Sequence, residues 1–286
     1  MLKLRRARET READSVSRGR TRQGSHAQVK ALLAFLFLVP MAAWADSPFD
    51  GTWVTKTDSV VMSQKPWVIL LDKGIFQNES MVPPLKVKAD GMDQPVSGYA
   101  GFDSMAVQIV GTDSVEFTAK KAGKVMGTNT FTVSSDGKTL TNKFSDQSGT
   151  TPATGEVLLT RVKSGPKGSN PVSGSWREAK LQDLSANGQT VTYKATADGL
   201  SMSAPTGQSY EAKFDGKYYP VAGDPSQTMV SLKHVNAHTI IETDKQLGKV
   251  VEVATMTVSP DGKSIRVSWE GKQTGRTGHY EMDKSP

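Results

Sequence analysis

The sequence predicts an all-β chain: two antiparallel meander barrels in tandem, following an export signal. Three observations carry that prediction. The phrase Asp90-Gly91-x3-Pro95-Val96-x-Gly98 recurs 125 positions later as Asp215-Gly216-x3-Pro220-Val221-x-Gly223. The same offset lays Gly123-Lys124-Val125 on Gly248-Lys249-Val250, and Asp136-Gly137-Lys138 on Asp261-Gly262-Lys263. Asp-Gly and Asn-Gly pairs, which suit tight hairpins because both central residues need positive φ, punctuate alternating runs such as Val125 to Val133 and Ser264 to Trp269.

Taken in chain order, residues 1–45 read as a signal peptide. Lys30 precedes the apolar run Ala31 to Ala45, which ends in Ala43-Trp44-Ala45, a small-x-small pattern that sets cleavage between Ala45 and Asp46. The run falls short of the roughly 20 apolar residues a spanning helix needs. The expectation is therefore a periplasmic or secreted product with no integral membrane segment once the signal is removed. Residues 46–162 form the first repeat and residues 172–286 the second. Between them Lys163 to Pro171, KSGPKGSNP, reads as a Gly/Pro/Ser-rich linker. The pairs Asp90-Gly91, Asp136-Gly137, Asn187-Gly188, Asp198-Gly199, Asp215-Gly216 and Asp261-Gly262 are expected as turns. Roughly eight strands per repeat suit a closed or nearly closed meander, which hides sheet edges. A two-sheet β-sandwich is the alternative that spacing does not separate.

Charge and cysteine content narrow the function classes. The formal charge is +6, but residues 1–45 hold nine of the 35 basic residues and three of the 29 acids. The remaining chain carries 26 of each. Its neutrality gives no reason to expect a nucleic-acid partner. There is no cysteine, hence no disulfide framework, thiolate nucleophile or Cys-ligated metal. Each repeat of roughly 115 residues is long enough to bury a core without staples.

Each repeat opens on Gly-x-Trp: Gly51-Thr52-Trp53 and Gly174-Ser175-Trp176. This resembles the first-strand motif of lipocalin-like barrels. The resemblance implies that Trp53 and Trp176 plug the barrel floors and that a late-strand Arg, here Arg161, stacks on Trp53. The closing run His279-Tyr280-Glu281 offers no such Arg. The chain as a whole resembles a family of exported bacterial proteins of unknown function, built from tandem lipocalin-like units with the Asp-Gly-x3-Pro-Val-x-Gly phrase. That resemblance implies a fold and no activity.

No catalytic signature, phosphate loop or dinucleotide fingerprint occurs. Past residue 45 the histidines are His234, His238 and His279. Asn236 and Ala237 mark a turn between the first two, so their rings should diverge; no metal and no cofactor is expected. The repeat itself points to a site. The inward run Val107, Ile109, Val115, Phe117 of the first repeat becomes Leu232, His234, Ile240, Glu242 in the second, and Glu252 replaces Gly127. A tight hairpin pairs 234 with 240 and 232 with 242. His234, Glu242 and Glu252 are therefore the candidate polar patch in the second lumen, with Trp269, which matches Phe144, as an aromatic contact. A bulge that turns Ile241 inward and Glu242 outward is the competing arrangement. The expected function is non-catalytic binding of a small apolar or amphipathic ligand in a barrel lumen. The alternatives are a cell-envelope structural or protein-interaction module with solid barrels and, more remotely, a hydrolase or isomerase using His234 and Glu242 as acid and base. Nothing names a protein partner.

Overall fold

A computed structural model describes residues 47–286. The expected signal peptide and the Ala45–Asp46 junction lie outside the described residues. Ten strands come from the first repeat: β1 (Gly51–Thr55), β2 (Trp67–Asp72), β3 (Ile75–Asn78), β4 (Leu85–Lys88), β5 (Gln94–Pro95), β6 (Ser104–Ile109), β7 (Ser114–Lys121), β8 (Lys124–Val133), β9 (Thr139–Asp146) and β10 (Ala153–Ser164). The second repeat supplies β11 (Gly174–Gln182), β12 (Thr190–Ala195), β13 (Gly199–Ser203), β14 (Ser209–Lys213), β15 (Tyr219–Pro220), β16 (Met229–Asn236), β17 (Thr239–Gln246), β18 (Lys249–Val258), β19 (Ser264–Gly271) and β20 (Arg276–Lys284). All pairing is antiparallel, in two ten-stranded sheets, each nearly closed into a barrel. Among the described residues no helix is long and apolar enough to cross a membrane.

The two repeats exchange their first strands. Barrel one runs β4-β3-β2-β11-β10-β9-β8-β7-β6-β5, and barrel two runs β14-β13-β12-β1-β20-β19-β18-β17-β16-β15. The strand that opens the second repeat thus sits between β2 and β10 of the first. The strand that opens the first sits between β12 and β20 of the second. The sequence repeats 46–162 and 172–286 therefore do not coincide with the barrels. One sheet continues across the segment expected to be a linker.

Local geometry gives the reason. The segment after β10 folds back on itself through Gly165 N–H to Ser173 O (3.2 Å) and Ser173 N–H to Asn170 O (2.9 Å), so that Ser164 faces Gly174 across a hairpin. A strand returning through a short loop pairs with its predecessor. Asn170 N–H also donates to Leu71 O (2.9 Å), which pins the loop to barrel one. On the other side, Lys56 N–H donates to Glu281 O (2.9 Å) and Val61 bridges His279, so the chain from β1 to β2 runs along β20.

Side chains follow the strands. Trp176 belongs to the core of barrel one and Trp53 to that of barrel two, both fully buried. Each indole donates to a carbonyl four residues earlier: Trp53 Nε1 to Phe49 O (2.9 Å) and Trp176 Nε1 to Val172 O (2.8 Å). Arg161 stacks on Trp176, its guanidinium carbon 3.8 Å from the ring centre, and not on Trp53 as the sequence suggested. The exchange of strands is the cause. Trp53 is covered instead by Lys284, with Nζ 5.3 Å from the ring centre. Arg161 also donates to Gly137 O, to Ser173 O (2.8 Å) and to Pro171 O (2.7 Å), tying the floor of barrel one to its hairpin loop.

Four of the Asp-Gly pairs do turn, but with positive φ at the glycine alone; the paired positive φ values expected of a tight hairpin occur among the described residues at Lys73-Gly74, Ala122-Gly123 and Leu247-Gly248. Gly91, Gly137, Gly216 and Gly262 all have φ between 68° and 77°, and Asp136 and Asp261 accept the N–H two residues on at 3.0 and 3.1 Å. These acids serve their turns. Asn187-Gly188 instead lies in a one-turn helix, Ala186–Gln189, and Gly199 begins β13 because its Cα packs against the Ala212 carbonyl, where no Cβ fits.

Candidate functional site

The duplicated ladders keep their register, so lumen positions can be compared one for one. Val107 pairs with Phe117 and Leu232 with Glu242; Phe117 pairs with Asn129 and Glu242 with Ala254; Ala119 pairs with Gly127 and Asp244 with Glu252. Val107 and Leu232 are both fully buried, so the two sheets present the same face inward.

In barrel two this face carries a cluster of acids and tyrosines. Glu242 points inward with Ile240, and its Oε2 accepts a hydrogen bond from Tyr210 Oη at 2.5 Å. The only register irregularity between β16 and β17 lies between His234 and Asn236, so no bulge turns Glu242 outward. Asp244 follows two residues later and faces Glu252 across the ladder. Burial raises the Glu242 carboxyl, Tyr210 partly offsets this, and the charge of Glu252 raises it further. Asp244 is pushed up to about 8 by burial and then by Glu242 and Glu252. Burial also raises Glu252. The hydroxyls of Tyr193, Tyr210 and Tyr280 are raised by the same desolvation and the same acids. Asp244 Oδ1 is buried without a hydrogen-bond partner. Like charges held this close in a low-dielectric lumen favour protonation.

Of the residues the sequence singled out, Glu242 and Glu252 meet in this cluster. Trp269 faces the same lumen and lies over Gly278, where an added Cβ would come within 2.7 Å of the indole; Phe144 covers Gly155 in barrel one in the same way. His234 does not join them. It is exposed at the end of β16, beside the irregularity before Asn236, with its ring 5.3 Å from Phe214. The acid–base pair proposed for His234 and Glu242 therefore has no geometry to support it. Asp244, Tyr193 and Tyr280 escaped the sequence reading. The signal was available for Asp244, which stands where the first repeat has Ala119.

Barrel one differs at these same positions. Its lumen holds a cavity of about 270 Å³ walled by Phe76, Met105, Phe117, Phe131, Val157 and Leu159, together with Asn78, Asn129, Asn142 and Glu178. The small residue Ala119 also lines it. Phe76 and Phe131 both pack against Phe117, at 4.8 and 4.7 Å between ring centres, which fixes an aromatic wall. Asn142 Oδ1 is buried with no partner. Asn78, only 6% exposed, uses its Oδ1 to accept Ser80 N–H (3.0 Å).

The edge of this cavity is held by the other barrel. Glu178 accepts Trp67 Nε1–H (2.9 Å) through one oxygen and Arg276 Nη2 (3.0 Å) through the other. Arg276 extends from β20 of barrel two, is 7% exposed and lies over Trp67 at 4.5 Å. A second hollow of about 570 Å³ lies between the barrels, with Pro83, Tyr99 and Phe102 on one side and Leu247, Lys249 and Gln273 on the other. Phe102 lines both the hollow and the lumen cavity, so the two meet at its ring.

Fold and lumen together define a tandem, strand-exchanged pair of antiparallel β-barrels, one with an apolar cavity and one with an acidic core. Comparison of the chain with family models, curated proteins and solved structures gives no match. Among the described residues no group of His, Asp and Glu is arranged to hold a metal ion.

Proposed function

We propose that the protein is an exported, non-catalytic binding protein that carries a small apolar or amphipathic molecule in the lumen of barrel one. The observation that carries this reading is the 270 Å³ cavity with its phenylalanine wall. At ~30 Å³ per water, that volume equals about nine waters, and so an organic molecule on the order of ten heavy atoms. Transfer of such a molecule from water is favourable at roughly 25 cal/mol per Å² of apolar surface buried. The cavity also weighs against a purely structural module with two solid barrels. Export, to the periplasm or beyond, rests on the signal-like run before Asp46.

Native mass spectrometry of protein purified without denaturation tests the reading. A bound small molecule is expected on the wild-type chain and not on Ala119→Leu, which fills the cavity. A wild-type chain that carries nothing, and that gives unchanged tryptophan emission with every small hydrocarbon or alcohol added, would remove the proposal.

A further inference from the structure

We infer that the ligand of barrel one is a neutral amphipath whose polar end is a hydroxyl or amide, and that Asn142 reads it; this rests on the lumen-binding reading above. Two observations converge on that chemistry. Asn142 Oδ1 is buried in the cavity wall and has no partner in the protein. Leaving a polar atom in that state is unfavourable enough that native structures nearly always supply one. Asn78 stands on the same wall with its Oδ1 committed to Ser80, so its NH₂ is the group it can offer the lumen. A hydroxyl or amide both donates and accepts, and so matches an acceptor and a donor at once.

Charge excludes the commoner amphipaths. Among the described residues that wall the cavity, Glu178 alone is ionisable. No cation is among them, so a carboxylate or phosphate head would face Glu178, and Arg276 at the cavity edge, already paired with Glu178 through Nη2, has only its buried Nη1 without a partner. An ammonium head would find Glu178 already engaged by Arg276 and by the Trp67 indole. Desolvating an unpaired ion is far costlier than desolvating a neutral hydroxyl. The second barrel supplies an internal contrast. There Val267 replaces Asn142, and Glu242, Asp244 and Glu252 replace Phe117, Ala119 and Gly127. An apolar body beside an uncharged polar reader is a property of barrel one alone.

The test uses the full chain and four probes of one length: octane, 1-octanol, octanoate and octylamine. Binding is followed by Trp67 emission and by ligand-observed NMR. 1-Octanol should bind about tenfold tighter than either charged probe, and Asn142→Leu should reduce its advantage over octane by a similar factor. Ala119→Leu should weaken all four. Octanoate or octylamine binding as tightly as octanol would overturn the inference while leaving the lumen reading intact. So would an octanol-to-octane ratio unchanged in Asn142→Leu. Failure of every probe, octane included, would remove the lumen reading and the inference with it.

Discussion

Replacing Asp244 by Asn should make barrel two more stable in mild alkali and leave it nearly unchanged in mild acid. Asp244 titrates near 3.8 when unfolded and near 8 when folded. Because the folded value is raised, the native state retains a proton between those limits that the unfolded chain has released. Stability is therefore fully present at the acid end and falls as pH rises through about 4 to 8, by up to ~1.4 kcal/mol per unit. Across the whole window the ceiling is roughly 6 kcal/mol. Residual water contact and the sharing of charge with Glu242 and Glu252 reduce the expected effect to about 2 kcal/mol. The groups facing Asp244 are Glu252 across the ladder, Glu242 on its own strand, Asp224, Tyr193 and Tyr210. Arg276, in the same rung beyond Gly271, is engaged by Glu178. The assay is urea denaturation at pH 5 and pH 8.5. The wild type should lose stability between these values while Asp244→Asn loses less. A wild type that is more stable at pH 8.5, or a variant whose profile runs parallel to it, would refute the reasoning. The turn acids Asp136, Asp215 and Asp261, held low by their own hydrogen bonds, titrate below this window.

Further expectations follow from the exchange of strands. Arg161→Ala removes three donors to backbone carbonyls and the stack on Trp176, and should cost about 2–4 kcal/mol in barrel one, read as loss of amide protection in β9 to β11. Lys284→Ala should cost less than about 1 kcal/mol, since its contact with Trp53 is more distant. Deleting residues 47–55 should strip protection from β12 and β20 of barrel two while sparing β2 and β10 of barrel one, by hydrogen exchange. Arg276→Leu leaves the Glu178 carboxylate beside an apolar lumen without its cation and should cost about 3 kcal/mol, with a small recovery in the double variant with Glu178→Gln, measured by urea denaturation.

The sequence carried the local grammar well and the long-range pairing poorly. The Asp-Gly pairs at 90, 136, 215 and 261 placed turns because a turn is set by two or three residues, but only those at 136 and 261 join paired strands; those at 90 and 215 connect the two ends of a sheet. Once the repeat was aligned, pairing 232 with 242 and 234 with 240 needed only one tight turn, and it placed Glu242 inward. Which barrel received each Gly-x-Trp strand was not legible. Trp53 and Trp176 carry the same motif, so either strand completes either ladder, and the choice falls to the hairpin at Ser164 and Gly174. Arg161 stacks on Trp176 instead of Trp53 for that reason alone. His234 kept its inward parity but left the lumen at the strand end, a fact of length and not of alternation. The cavity of barrel one was the hardest to foresee, because volume is a sum over ten strands; only Ala119 and Gly127, small where the second repeat is large, hinted at it.

A crystal structure of the full chain grown with 1-octanol probes the lumen most directly. The account predicts ordered density inside barrel one, its alkyl portion against Phe76, Phe117 and Phe131 and its oxygen within hydrogen-bond distance of Asn142. A ligand seated only in the acidic core of barrel two, or a barrel-one interior that excludes the alcohol at saturation, would contradict it.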